Sequence, residues 1–187
     1  ASTTAGENLA IGKEALKVYA GAGNANIAIG NNAMDSANSD MTRNTAVGYS
    51  ALNAANDDDA DQNTAIGAYS AIALTTGGGN TFIGDSSGYT ATTVRNAVGI
   101  GINAGRGAMT TAANGSVFIG AEAGYKNSTG VGNVVVGGYA FDNSTEQDGN
   151  TAIGYYALSA MSGSAGTGNN TAVGYQAGLA MTTGTSN

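Results

Sequence analysis

The 187-residue chain contains no cysteine, no histidine, no proline and no tryptophan. Without cysteine there is neither a disulfide nor a thiol nucleophile. Without histidine as well, no familiar catalytic triad and no zinc site of the usual kind can be built. Charge is scarce too, at 10% of residues where about a quarter is usual. The cations are Lys13, Lys17, Arg43, Arg95, Arg106 and Lys126, and the net charge is −7, which leaves no basic patch able to neutralise several phosphates. Nucleic acid is therefore not an expected partner. No apolar run approaches membrane-spanning length, so no membrane insertion is expected. The opening "ASTTAGENLA" lacks the charged start and apolar centre of a signal peptide, and the chain reads as soluble or as a mature fragment of an exported protein.

What the chain has in excess is glycine, 31 residues, beside an apolar share of 42% supplied by Ala, Ile and Val rather than Leu and Phe. That makeup excludes an ordinary mixed globular domain. A repeat accounts for it. Glycines preceded by Ile or Val stand at Gly12, Gly30, Gly48, Gly67, Gly84, Gly101, Gly120, Gly137, Gly154 and Gly174, spaced by 17 to 20 residues. The ten units fill residues 1–187 end to end and predict one repeat-built segment without a domain boundary.

Reading by columns predicts the conformation. Before each anchor glycine stands a β-branched residue: Ile11, Ile29, Val47, Ile66, Ile83, Ile100, Ile119, Val136, Ile153 or Val173. Two residues earlier come Leu9, Ile27, Thr45, Thr64, Thr81, Val98, Val117, Val134, Thr151 and Thr171, which share that face of a strand. The column between them runs Ala10, Ala28, Ala46, Ala65, Phe82, Gly99, Phe118, Val135, Ala152 and Ala172, also uncharged, so cover is expected on both faces. A small residue, usually Ala, recurs three positions after the glycine and predicts a second short strand or extended segment. Length varies in loops of turn composition such as "NAANDDDADQ" and "DNSTEQDG". A helix is excluded, because each repeated glycine costs about 1 kcal/mol there and the β-branched column favours strand. The expected fold is an all-β parallel β-solenoid or β-roll of about ten coils, a rod on the order of 45–50 Å long.

Asn8, Asn26, Asn44, Asn63, Asn80, Asn133, Asn150 and Asn170 stand four residues before their anchors, with Ala97 and Ser116 as the exceptions. Two structural readings fit them: a ladder in which stacked amides bond from coil to coil, or residues that serve only the turn.

The unit "NTAIGYYAL" at Asn150 and its copy "NTAVGYQAG" at Asn170 resemble repeats in the heads of trimeric autotransporter adhesins, and still more those of phage tail fibres. The resemblance covers all ten units but departs from adhesin heads in its longer period. It implies a left-handed β-roll, three chains side by side, in a fibre that binds a host surface. One coil carries apolar residues for only a thin core, which independently favours an oligomer. The Ala/Phe face is the one expected to be buried between chains, at about 25 cal/mol per Å². The chain opens with "TTAGEN" and closes with "TTGTSN", the same phase of the unit, and Asn187 falls where the next ladder residue belongs. With no polar cap at either end, the expectation is a piece of a longer fibre or a subunit stacking end to end.

Candidate sites are few, and neither a catalytic residue nor a cofactor site is expected. The run "NDDDADQN" places Asp57, Asp59 and Asp61 at the alternation of a calcium loop but lacks the glycine and glutamate of an EF-hand, so a solvated loop competes with a metal site. Tyr49, Tyr155 and Tyr175 follow their anchor glycines directly and are candidates for surface contact with a glycan or protein; packing along the core or against another chain competes. Sequons occur at Asn114, Asn127, Asn143 and Asn169. The expected function is non-enzymatic: a structural or adhesive segment of an extracellular fibre, on a cell surface or virion, whose main partner is itself. The alternatives are an end-to-end filament subunit and an ice-binding solenoid, the latter opposed by the interruptions of its Thr column.

Overall fold

Three-residue strands form where the columns place β-branched residues on either side of a small one. In the computed structural model, which describes residues 6–17, 23–36, 40–162 and 168–187, these are β1 (Leu9–Ile11), β2 (Ile27–Ile29), β3 (Thr45–Val47), β4 (Thr64–Ile66), β5 (Thr81–Ile83), β6 (Val98–Ile100), β7 (Val117–Ile119), β8 (Val134–Val136), β9 (Thr151–Ile153) and β10 (Thr171–Val173). They stack in chain order as one ten-stranded parallel sheet, one strand per repeat. The fold is a β-solenoid. Pairing keeps each column in register, as in Thr45 with Thr64, Ala46 with Ala65 and Val47 with Ile66. Among the described residues a single 3-10 turn, Thr111–Ala113, interrupts the loops.

Each strand ends at its anchor glycine, whose φ lies between +130° and +139° along the whole column. A Cβ there would meet the next coil as well: at Gly84 it would stand 2.5 Å from the carbonyl oxygen of Gly101. Only a residue without a side chain satisfies both constraints.

Beyond the glycine the expected second strand does not form. The chain turns instead, with left-handed residues two and four places on: Asn32 (φ 59°) and Met34 (φ 50°), Ser50 (52°) and Leu52 (50°), Tyr139 (54°) and Phe141 (51°). The alternation aims successive peptide groups at different neighbours. Asn32 N–H donates to Lys13 in the preceding coil at 2.9 Å, and Met34 N–H to Ala51 in the following coil at 3.0 Å. Backbone groups thus stay paired without strand geometry. The cause is burial: Ala33 and Met34 are consecutive and both fully buried, whereas a strand would turn one of them outward.

The strand faces correct a second expectation. It is the Ala/Phe column that lines the chain's own core: Ala28, Ala46, Ala65, Phe82, Phe118, Val135 and Ala152 are fully buried. The Ile/Val and Thr columns point outward. The position four after the anchor glycine shares the inside of the coil with the middle strand residue; at four levels the bulk falls on one of the two, while Val135 and Phe141 are buried together. Where the strand carries Ala46 or Ala152, that position holds Leu52 or Leu158; where it carries Phe82 or Phe118, it holds Gly88 or Gly124. A Cβ on Gly124 would fall on the Phe118 ring. Met41, Leu74, Val94, Met109 and Met161 close the remaining side of the core.

Candidate interaction surface

The predicted asparagine positions lie inside the corner that precedes each strand. Asn26, Asn44, Asn63, Asn80, Asn133, Asn150 and Asn170 are all essentially buried. Each Oδ1 accepts from the backbone N–H of the equivalent residue in the next coil: Asn26 to Asn8 at 2.9 Å, Asn80 to Asn63 at 3.0 Å, Asn150 to Asn133 at 2.9 Å and Asn187 to Asn170 at 3.2 Å. The side-chain amide adds further bonds. Asn80 Nδ2 donates to Asn63 Oδ1 at 3.0 Å and to the Val94 carbonyl at 2.8 Å. The left-handed residue of this turn is the one before the asparagine, for example Arg43 (φ 59°) or Gln62 (φ 60°). At Ala97 the amide column is interrupted; its own N–H still donates to Asn80 Oδ1 at 3.0 Å, and Ser116 resumes one coil later by accepting from Asn133 N–H at 3.2 Å. These residues hold coils together and face no solvent.

The outward side of the sheet is the opposite case. Leu9, Ile11, Ile27, Ile66, Val134, Ile153 and Val173 are all more than a third exposed, and neither outward strand column carries a charge. Along its edge runs the residue directly after each anchor glycine, including Tyr49 (47% exposed), Ile102 (58%), Tyr155 (45%) and Tyr175 (72%). Monomers seldom leave a continuous apolar strip of this kind open to water. Sequence reasoning placed the tyrosines but passed over Ile102, an aliphatic residue two places beyond Ile100; continuing the alternation through the glycine would have found it.

The tyrosines associate with one another along the rod. Tyr49 meets Tyr69 edge to face at 5.2 Å between centroids, and Tyr155 lies parallel to Tyr175 at 6.0 Å. Tyr155, Tyr156 and Tyr139 form a cluster, with Tyr155 and Tyr156 at 4.5 Å. Arg106 stands over the rings of Tyr89 and Tyr125, 4.8 and 5.6 Å from their centroids. Tyr19 lies outside the described residues, as do the first residues of the opening "TTAGEN".

The acidic run does not converge. Asp61 accepts from Thr42 N–H at 2.5 Å and from its hydroxyl at 3.0 Å; Asp59 pairs with Arg95 at 2.9 Å; Asp57 accepts from the Asp59 N–H at 3.0 Å. Among the described residues no group of three or more acidic side chains stands close enough to hold a metal ion. Asp58, Asp59, Asp61, Gln62, Arg95 and Asn96 instead line a shallow polar cleft of about 250 Å³. The exposed Asp59–Arg95 pair contributes little stability. Of the sequons, Asn127 is fully buried and closed to any transferase in the folded chain.

Asp142 is the carboxylate whose environment disturbs it. Partial burial raises its pKa above 3.8, opposed by hydrogen bonds from backbone and Ser159 and by Lys126. The nearby Glu122 carboxylate pushes it in the same direction as burial does.

No family model, no curated protein and no solved structure matches this chain.

Proposed function

We propose that this chain is a structural and adhesive segment of an extracellular fibre, in which copies lie side by side as a trimer with the outward sheet faces turned toward one another. The observation that carries the reading is the uncharged strip of Ile, Val and Thr along all ten strands. Ten strands about 4.8 Å apart, with two outward columns and an edge column, offer an area on the order of 500 Å². A standard interface takes about 800 Å² from each partner. A chain wedged between two others reaches that scale by contributing the strip together with its flanks, and burying it would stabilise the assembly along its whole length. Tyr49, Tyr155 and Tyr175 stand on one flank of that strip, and the ring surfaces that a neighbouring chain does not cover are the groups offered to a surface glycan or protein. Mass measurement in solution with electron microscopy of the particle tests this: a thin rod of three chains is expected, and a globular monomer overturns it.

A second reading has one observation in its favour, the outward row Thr45, Thr64, Thr81 in register on a parallel sheet, as an ice-binding surface would require. Leu9, Ile27, Val98, Val117 and Val134 break that row. Absence of thermal hysteresis would dispose of it.

A further inference from the structure

Ring contacts between tyrosines follow a rule set by the repeat. Where two residues hold the same place after successive anchor glycines, the rings lie nearly parallel. Tyr139 and Tyr156, each second after its glycine, stack at 5.1 Å and 19°; Tyr155 and Tyr175, each first, at 6.0 Å and 4°. Where the places differ, the rings are crossed: Tyr49 with Tyr69 at 78°, Tyr69 with Tyr89 at 63°, Tyr139 with Tyr155 at 80° and Tyr155 with Tyr156 at 83°. The cause is the backbone ladder beneath them. Tyr139 and Tyr156 share a left-handed conformation (φ 54° and 57°), and Tyr156 N–H donates to the Gly138 carbonyl of the preceding coil at 3.1 Å. The second ring is therefore a copy of the first, displaced by one coil, about 4.8 Å.

That geometry selects among the tyrosines for one-electron chemistry. A phenol that loses an electron and a proton becomes a radical whose unpaired electron occupies π orbitals perpendicular to the ring, with high density at the carbons ortho to oxygen. Two such radicals couple where ring faces overlap, whereas crossed rings set those orbitals at a steep angle. Tyrosine is also the group that gives up the electron. The chain has no tryptophan, cysteine or histidine, and Met34, Met41, Met109 and Met161 are fully buried.

We propose that the Tyr139–Tyr156 stack is a site of oxidative cross-linking, at which a one-electron oxidant, such as a haem peroxidase with hydrogen peroxide, ties one coil to the next. Each ring gives one electron to the oxidant and one proton to water. The two radicals form one carbon–carbon bond between positions ortho to their hydroxyls, and the hydrogen on each of those carbons moves to its own oxygen, restoring both phenols. The chain loses two hydrogens, and one hydrogen peroxide becomes two waters.

The surroundings favour this pair. Tyr155 touches Tyr139, Tyr156 and Tyr175, so a radical formed on any of the four exchanges into the stack. Tyr139 and Tyr156 are both half-buried, exposed enough to meet an oxidant and free to tilt from stacking to bonding distance. The Tyr155–Tyr175 stack is wider and couples second. The bond adds a covalent tie across the boundary between β8 and β9.

The test treats the intact chain with peroxidase and hydrogen peroxide and reads dityrosine fluorescence, the mass in denaturant and the joined peptides. A single-chain mass short of two hydrogens is expected, with Tyr139 and Tyr156 in the joined peptides. Tyr139→Phe and Tyr156→Phe, which keep the ring and lose the phenol, should each abolish that product, and Tyr69→Phe should leave it unchanged. Equal coupling of Tyr49 to Tyr69, joining mainly between chains, or no coupling under conditions that couple free tyrosine overturns the site. Because the bond is read within one chain, the result is independent of the side-by-side association proposed above.

Discussion

Gly84 answers two demands at once, a backbone conformation closed to L side chains and a carbonyl of the next coil where a Cβ would sit. Gly84→Ala therefore combines strain with a backbone clash, and should cost at least about 3 kcal/mol or prevent folding, measurable by chemical denaturation. The buried asparagines act by hydrogen bonding, and Ala97 marks the level where no side-chain acceptor stands in their place. Ala97→Asn would supply an acceptor for the Ser116 N–H and is expected to stabilise by about 1 kcal/mol; a loss of stability in the same denaturation experiment would mean that the corner at this level differs from its neighbours. Asp142 sets a pH dependence whose sign follows from its raised pKa. The folded chain holds that proton more tightly than the unfolded one, so stability falls as pH rises through 3.8 and levels off above the folded value. Asp142→Asn should flatten that part of a pH–stability profile and leave the rest unchanged.

At the scale of the coil, the strand column and the residue four after the glycine divide one interior space. Phe118→Ala alone should cost about 3–5 kcal/mol through the cavity it leaves. Gly124→Leu alone should destabilise by forcing a side chain onto the Phe118 ring. The double variant transposes the bulk into the arrangement of Ala46 with Leu52, and the left-handed backbone at Gly124 (φ 60°) is one that Leu52 and Leu158 already accept (φ 50°). It should be more stable than the sum of the single effects by at least about 2 kcal/mol in a double-mutant cycle. This reciprocity also explains what could be read in advance. The period, the strand positions and the parallel stacking follow from local columns, because a strict β-branched residue beside glycine leaves the chain few choices. The direction each face points does not, since all three strand residues are uncharged and alternation alone cannot say which side is inside. That is decided by Leu52, Gly88 and Gly124, residues outside the strand. The second strand was misjudged for a related reason: a recurring alanine signals close packing, and here the close packing is of a turn with two buried residues in succession.

For the molecule as a whole, the outward strip separates folding from assembly. Ile119 points away from its own core and lies in the outward Ile/Val column. Ile119→Asp should leave the β circular-dichroism signal in place and the unfolding free energy of the single chain within about 0.5 kcal/mol, while abolishing association in sedimentation; an assembled Ile119→Asp rod would mean that the strip is not the contact surface. The stacking of strands in chain order has a mechanical consequence. Nearly every bond joining one coil to the next, backbone and asparagine amide alike, points along the rod, so a load applied to the two ends of the chain is met by one coil boundary at a time. The outermost coil yields first and exposes an equivalent boundary beneath it. Each such event releases about 60 Å of extended chain from a unit of 17 to 20 residues. A tether built this way lengthens by equal steps under tension, and what remains folded at each step keeps the same cross-section.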